Sequence, residues 1–320
     1  MARLSQERLA HVAFLYYVQG LSQAEVARSL NVTRSNVSRM LTSAREQSIV
    51  RFEITYPLDR MPGMERSLLA RFESEGVREV IVVPNLESGV GRASQALLSV
   101  GRAACSWLDS NLSAGQVLGL CWGSTIEAMV ASAHFNQRID VVVVQLAGEL
   151  SIDSRFSGHD LVRRLAEKLG GGYRYFNAPA ATPNEATTLA LKSTPQVAES
   201  LAAARLSDVA VLGIGEYGFG SSDLFLQRAG ASKEEILEAN NAGVVGQMSG
   251  RFYDASGQQT DLSINRRILS LNLDEVRQIG TVVAVVSGEH KDRATRAAIA
   301  GRLVNVLVVD DSLARALLAT

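Results

Sequence analysis

GLSQAEVARSLNVTRSNVSRMLTSARE, residues 20–46, carries a complete packing pattern in one short run. Gly20 suits the position just past a helix end. Ser22 caps a second helix, Gln23–Leu30, with Glu25 at its third position, where it completes a capping box. Asn31 tolerates the left-handed backbone of a tight turn. Thr33 then caps a third helix running to about Gln47. Ala27 is the small residue that lets two helices approach, Val32 anchors the turn, and Val37, Met40 and Leu41 share the buried side. Thr33, Arg34, Ser35, Asn36, Ser38 and Arg39 are left facing outward. Two short helices joined by a tight turn form a rigid unit that presents its second helix to the DNA major groove. Arginine pairs two-pronged with guanine, asparagine with adenine, and serine or threonine with phosphate or either base type. The candidate DNA contacts are these six residues plus Ser22 and Gln23 at the start of the first helix. The bland alternative is a three-helix interaction module with a solvated polar face.

Upstream, residues 5–19 repeat apolar side chains at spacings of three and four (Leu9, Val12, Ala13, Tyr16, Tyr17), which predicts a helix. Downstream, residues 49–55 alternate like a short strand. The first 50 residues hold six Arg against three Glu, a net +3, within a chain of 320 residues whose net charge is −1. The remainder therefore carries −4. A basic head on a mildly acidic body fits a head that touches polyanions. A head this small makes few contacts, so useful affinity calls for an oligomer on repeated half-sites.

Composition excludes other classes. The chain is 47% apolar and 20% charged, the balance of a folded globular protein. No apolar run reaches the roughly 18 residues a membrane span needs. The first residues have no secretory pattern. Cys105 and Cys121 cannot build a disulfide framework or a four-ligand zinc site. A cytoplasmic setting follows as the expectation, with no membrane, metal or cofactor called for.

From residue 56 onward the pattern changes to α/β. Residues 62–75 predict an amphipathic helix. Apolar β-rich runs follow at Glu79–Val83, Val117–Cys121, Val141–Leu146, Tyr173–Ala178, Asp208–Ile214, Thr281–Ser287 and Val304–Val309. Helical stretches at 91–109, 124–132, 158–169, 184–203, 291–300 and 311–318 alternate with them. Strands apolar on both faces predict a parallel sheet covered by helices. Residues 1–55 and 56–320 are the two expected domains.

Ligands of open α/β sheets sit beyond the carboxyl ends of the strands. There Gly123 lets the backbone approach a ligand, and Ser124 and Thr125 open a helix whose free N–H groups suit an anion. Other strand ends add Gln145–Glu149 with Gly148, Asn177–Ala180, Gly213–Glu216 with Gly213 and Gly215, and Ser287–Lys291 with Gly288. Each alone reads as an ordinary turn; four in one domain read as a pocket. Lys291, one of only four lysines beside 28 arginines, could neutralise a phosphate, the alternative being a solvated helix-start lysine. His290 reads as a surface residue and Cys121 as a packing thiol. Residues 243–257 read as an extended stretch ending in a turn at Asp254.

Seven segments together carry a family resemblance: GLSQAEVARSLNVTRSNVSRML (20–41), CWGST (121–125), VVQLAGEL (143–150), LGIGE (212–216), GVVGQMSGRFYDASG (243–257), SGEHK (287–291) and VLVVDDSLARALL (306–318). In order and spacing the chain resembles the SorC-type, DeoR-like sugar-binding bacterial transcriptional regulators over nearly its whole length. The resemblance implies a winged helix-turn-helix head. It implies a Rossmann-like body similar to ribose-5-phosphate isomerase and glucosamine-6-phosphate deaminase, without their catalysis. Family effectors are usually phosphorylated sugars or polyols, and members are commonly tetramers. By similarity Gly123, Ser124, Thr125 and Lys291 form the phosphate side of a pocket, and Gly148, Glu149, Gly215, Gln247 and Asp254 lie near the sugar. Gln247 stands where many relatives have an acidic residue, and Glu149 where many have glycine. The effector identity therefore does not carry over, and an unphosphorylated polyol stands beside the phosphorylated ones.

The leading expectation is a DNA-binding regulator of carbohydrate or polyol catabolism, with operator DNA, a sugar-like effector and its own copies as partners. The competing readings are a sugar-phosphate isomerase, deaminase or aldolase using Lys291 as a Schiff-base nucleophile, and a protein–protein adaptor.

Overall fold

The computed structural model describes residues 6–50, 59–85, 92–150, 157–175 and 177–319. The chain divides into two compact units, Met1–Pro57 and Leu58–Thr320.

In the first unit, α1 (Gln6–Ala13) runs into a π-helical turn at Phe14–Val18, so the helix predicted over 5–19 widens over its second half. α2 (Gln23–Ser29) and α3 (Arg34–Glu46) follow. The caps are those the residue types demand. Ser22 Oγ accepts from Glu25 N at 3.3 Å and Glu25 Oε2 accepts from Ser22 N at 2.8 Å. Thr33 Oγ1 accepts from Asn36 N at 3.2 Å. Asn31 takes φ 51°, the left-handed turn between the helices. Leu9, Val12, Val26, Ala27, Val37, Met40 and Leu41 are buried together, with Val32 partly buried against them. After α3 the chain turns through Ser48, and Ile49 and Val50 pack back on this core. The strand expected over 49–55, and with it the implied wing, lies mostly outside the described residues; Ile49 and Val50 themselves are not in a strand.

The second unit contains, in order, α4 (Pro62–Phe72), β1 (Glu79–Val83), α5 (Arg92–Asn111), β2 (Val117–Leu120), α6 (Ser124–Ser132), β3 (Val142–Gln145), α7 (Gly158–Leu169) and β4 (Gly172–Arg174). Then come α8 (Glu185–Lys192), α9 (Pro195–Arg205), β5 (Val209–Leu212), β6 (Gly215–Glu216), α10 (Gly220–Arg228), α11 (Lys233–Asn241), β7 (Gly246–Met248) and β8 (Arg251–Tyr253). α12 (Ser263–Arg266), α13 (Leu273–Arg277), β9 (Thr281–Val286), α14 (Asp292–Ala300), β10 (Val306–Asp310) and α15 (Asp311–Ala319) complete it.

Seven strands form one sheet in the order β1-β10-β9-β5-β2-β3-β4, every neighbouring pair parallel. Its valine-rich central strands are buried on both faces under helices, as their unbroken apolar runs require. From β2 the chain steps outward through β3 to β4. From β5 it steps the other way, through β9 to β10. β2 and β5 are therefore neighbours whose connections leave in opposite directions, the switch point at which an open α/β sheet leaves a crevice.

Four expectations are corrected. The single helix over 184–203 is two helices, because Pro195 lacks the N–H that a continuous helix needs and starts α9 instead. The strand at Tyr173–Ala178 shrinks to Gly172–Arg174, an exposed sheet edge. The helices α10, α11, α12 and α13 lie where no helix is predicted. The segment 243–257 folds as a tight hairpin, β7–β8, joined by β6 into a small antiparallel sheet.

Arg251 fastens this hairpin to the body. Its buried guanidinium donates to Ser270 Oγ at 2.9 Å and to the carbonyls of Leu271 (3.2 Å), Ile268 (3.0 Å), Ser270 (2.8 Å) and Asn265. Burial pulls its pKa down to about 10. Arg251→Met keeps the stem but strands several buried carbonyls, each costing about 1–3 kcal/mol. We expect a loss of about 3 kcal/mol or more, read from the denaturant midpoint; an unchanged midpoint would remove Arg251 from this role.

Candidate functional site

The chain ends of β2 and β5 frame a cavity of about 280 Å³. It is lined by Cys121–Thr125 after β2, by Gly213–Gly215 after β5, by Gln247 and Ser249 of the hairpin, and by Lys291. Trp122 supplies an apolar floor. Its indole N–H donates to Gly148 O at 3.0 Å, and its ring stacks on Phe225 at 5.5 Å. The Cys121 thiol, pushed up to about 11 by burial, is the packing group its sequence context suggests.

The residues expected to suit an anion come together at this cavity. Gly123 has φ 149° and caps α6 without a side-chain hydrogen bond, so the helix start is open. Ser124 and Thr125 line the cavity at that helix start. Such an end carries about half a positive charge and unpaired N–H groups. Lys291 lines the same cavity, half-buried, on a short 3₁₀ turn at Glu289–Lys291 that leads into α14. Its ammonium makes no hydrogen bond or ion pair with the described residues. Burial lowers its pKa, opposed by the charges of Asp310 and Glu216.

Gly215 and Gln247 also meet at this cavity, and they constrain each other. A Cβ on Gly215 would strike the Ser222 hydroxyl and come within 2.6 Å of Gln247 Nε2. Gln247 Oε1 accepts from Gly250 N at 2.9 Å, which locks the amide.

Gly148, Glu149 and Asp254 are not among the residues lining it. Gly148 lies where a Cβ would collide with the Pro179 carbonyl. Glu149 caps α7: its carboxylate accepts from Gly158 N at 3.1 Å and from His159 N at 3.2 Å. Its backbone pairs with residues 178–180, so the strand end reads on as ladder rather than ligand loop. Asp254 Oδ1 accepts from Ser256 N, Ser256 Oγ and Gln258 N, and so holds its own turn. Local N–H donors take up both carboxylates, leaving structural duties where ligand contacts are expected. The lining residues missed from sequence are Trp122, Leu150, Ile214, Gly220, Leu224 and Ser249. Trp122 and Ser249 stand inside motifs already singled out; Leu224 and Gly220 lie on the unpredicted α10.

In the head, Thr33, Arg34, Ser35, Ser38 and Arg39 are exposed, and Gln23 and Asn36 are partly so. Ser22 and Thr33 spend a side-chain oxygen on capping. Arg39 Nη2 donates to Asn36 Oδ1, so these two present one joined polar surface on α3.

With this geometry in hand, the comparisons are specific. Residues 56–319 match the family described as "Putative sugar-binding domain". The transcriptional regulator LsrR of Enterobacter sp. (strain 638) is 30% identical over 328 residues, covering 100% of this chain and 95% of that one. The sorbitol operon regulator of Klebsiella pneumoniae is 27% identical, covering 97% of each. The crystal structure of full-length SorC from Klebsiella pneumoniae superposes with a TM-score of 0.72 at 26% identity, covering 98% of this chain and 99% of that one. The chain belongs to the SorC-type family of sugar-binding transcriptional regulators. It is a regulator and not an enzyme, which disposes of the isomerase, deaminase and aldolase alternative.

An anion held jointly by Lys291 and the start of α6, which line one cavity, gives two predictions. Lys291→Ala should weaken a phosphorylated ligand by about 1.5–3 kcal/mol, the strength of a charge-assisted hydrogen bond, and leave an uncharged polyol unaffected; calorimetric titration checks both. The pH dependence has a definite sign. A phosphomonoester is fully dianionic well above its second pKa of about 6. Above that range its affinity should fall as Lys291 deprotonates, and should do so at a lower pH than an exposed lysine would dictate, because burial lowers the Lys291 pKa. A flat profile through the alkaline range would place the charge elsewhere.

Proposed function

We propose that the body binds a small sugar- or polyol-derived anion between the start of α6 and Lys291, and that this effector sets the affinity of the head for operator DNA. The observation that carries the reading is that one cavity at the sheet's switch point is lined both by an uncapped helix start and by an ammonium with no partner among the described residues. Gly123, Ser124 and Thr125 supply donors and Lys291 supplies charge. Gly215 and Gln247 border the ligand, whereas Gly148, Glu149 and Asp254 support the surrounding chain. A phosphorylated sugar is the favoured class, by the charge balance of the cavity.

The head reads DNA with α3. Arg34, Ser35, Asn36, Ser38 and Arg39 face the groove, and Ser22, Gln23 and Thr33 meet the backbone near the helix starts. The protein acts in the cytoplasm as a homo-oligomer, a tetramer by family resemblance, because one head offers too few contacts for operator affinity. By linkage, the effector must bind the DNA-competent and DNA-incompetent states unequally.

Selection from a random duplex pool, with and without sugar phosphates, tests this directly. A recovered consensus whose binding a sugar phosphate alters supports the reading; no enrichment would sink it. Arg39→Ala should cost about 1–3 kcal/mol on that consensus if the side chain reads a base. Because Arg39 is tied to Asn36, Asn36→Ala should cost much the same, and the double variant less than the sum. Full additivity would show that the two act separately.

A further inference from the structure

A polar cleft of about 300 Å³ is lined by residues of α8, of the chain after β8 and of the cap of α13. It shares no lining residue with the cavity at the switch point, although the β7–β8 hairpin contributes to both: Gln247 and Ser249 line that cavity, and Arg251 lines this cleft. Lys192, the last residue of α8, lines the cleft half-buried. Its ammonium makes no hydrogen bond or ion pair with the described residues.

The backbone turns the neutral side chains around Lys192 the same way. Gln259 Oε1 accepts from Leu273 N at 3.1 Å, and Asn272 Oδ1, capping α13, accepts from Glu275 N at 2.8 Å. A carboxamide whose oxygen is held by a backbone N–H has its NH₂ group left to offer, and neither NH₂ has a partner among the described residues. Thr260 Oγ1 donates to Phe252 O at 3.1 Å and accepts from Asn265 Nδ2 at 3.4 Å, so little of it is free. The buried Arg251 guanidinium adds a second positive charge to the lining. Burial and that charge push the Lys192 pKa down, opposed by the Glu275 carboxylate, which is itself paired with Arg205 at 2.6 Å. The two carboxylates of the lining are on exposed residues. Asp261 is held two-pronged by Arg266, at 3.0 and 2.9 Å, and Glu185 starts α8. The less exposed part of the cleft therefore offers donors and positive charge, and almost no acceptors.

We propose that this cleft is a second ligand site, which binds a small oxyanion of the size and charge of phosphate, with the Lys192 ammonium as its counter-charge and the amide N–H groups of Gln259 and Asn272 as its directional donors. A half-buried ammonium beside a guanidinium is repelled by its neighbour and has given up part of its water, so an anion stabilises it more than water does. A cation meets like charge there, and a neutral hydroxylated ligand finds few acceptors for its protons. The site is independent of the effector reading: it stands equally if the first cavity takes an uncharged polyol.

The test is equilibrium dialysis of labelled inorganic phosphate against the full-length protein carrying Lys291→Ala, which removes the charge of the first cavity. That protein should still bind phosphate at one site per chain. Adding Lys192→Met, which keeps the stem and removes the charge, should weaken that site at least tenfold, the loss of a charge-assisted hydrogen bond. Adding Asn272→Asp instead keeps the α13 cap, because aspartate caps as well as asparagine. It puts a carboxylate where the NH₂ group stood and should weaken phosphate at least as much. Gln259→Glu, which still accepts from Leu273 N, should do the same. Lys233→Ala, at the exposed start of α11, should change nothing. Absence of phosphate from the Lys291→Ala protein overturns the inference. So does phosphate binding that Lys192→Met and Asn272→Asp leave intact, or that Lys233→Ala weakens as much as Lys192→Met, which would mark diffuse attraction to surface charge.

Discussion

β2 and β5 lie side by side and parallel, yet the chain leaves them in opposite directions. That constraint shapes everything the body does. Parallel strands need long crossover connections, and where neighbouring crossovers diverge no backbone fills the gap at the strand ends. The gap is bounded by Cys121–Thr125 on one side and Gly213–Gly215 on the other. The small residues there follow from the geometry: a Cβ on Gly213 would come within 3.2 Å of the Thr125 hydroxyl, and one on Gly215 would displace Gln247. The crevice stays open because the sheet's topology empties it and the glycines do not refill it.

The main sheet and the head were legible in the sequence for a common reason. Each rests on a local pattern that tertiary context reinforces. Ser22 with Glu25, Asn31, and Thr33 with Asn36 state their roles within three residues of each other, and the structure uses each as written. The valine runs of β5, β9 and β10 admit only a doubly covered sheet. Where the pattern was ambiguous, the reading failed. α11 covers little of the core, since only its Ala239 is buried, and α10 sinks Phe225 and Leu226 as an adjacent pair and not at helical spacing. Their apolar stripes are correspondingly weak. Pro195 inside an apolar run was readable as a break, since its ring excludes a continuous helix there.

The site was legible in part, and the failures share a cause. Position after a strand picks out Gly123, Ser124, Thr125, Gly215 and Lys291, which the fold brings to one cavity. It could not tell a carboxylate that faces a ligand from one that faces its own backbone. Glu149 and Asp254 each have two or three N–H or O–H donors within a few residues in space. For Asp254 those donors lie two and four residues ahead, the spacing of an Asx turn, and that signal was present in DASGQ. For Glu149 the donors start α7, nine and ten residues on, and only the fold brings them near.

A deeper limit concerns the direction of hydrogen bonds. Ser124, Ser287 and Ser312 are the same residue type, each set at the mouth of a strand. Residue type alone gives all three a donor and two acceptor sites. Asp310, itself fully buried, removes that freedom from two of them: it is held by two backbone N–H groups and takes both serine protons. Burial strengthens such a network and makes reversing it costly, because each unmade bond would leave a polar atom in a medium of low dielectric. Ser124, by contrast, begins an uncapped helix beside Lys291, where donors outnumber acceptors. The contrast between Ser124 and the other two serines is therefore a property of what stands behind the side chain and not of the residue type. A carboxylate one layer back, in the strand end of β10, decides which way the hydroxyls of Ser287 and Ser312 point.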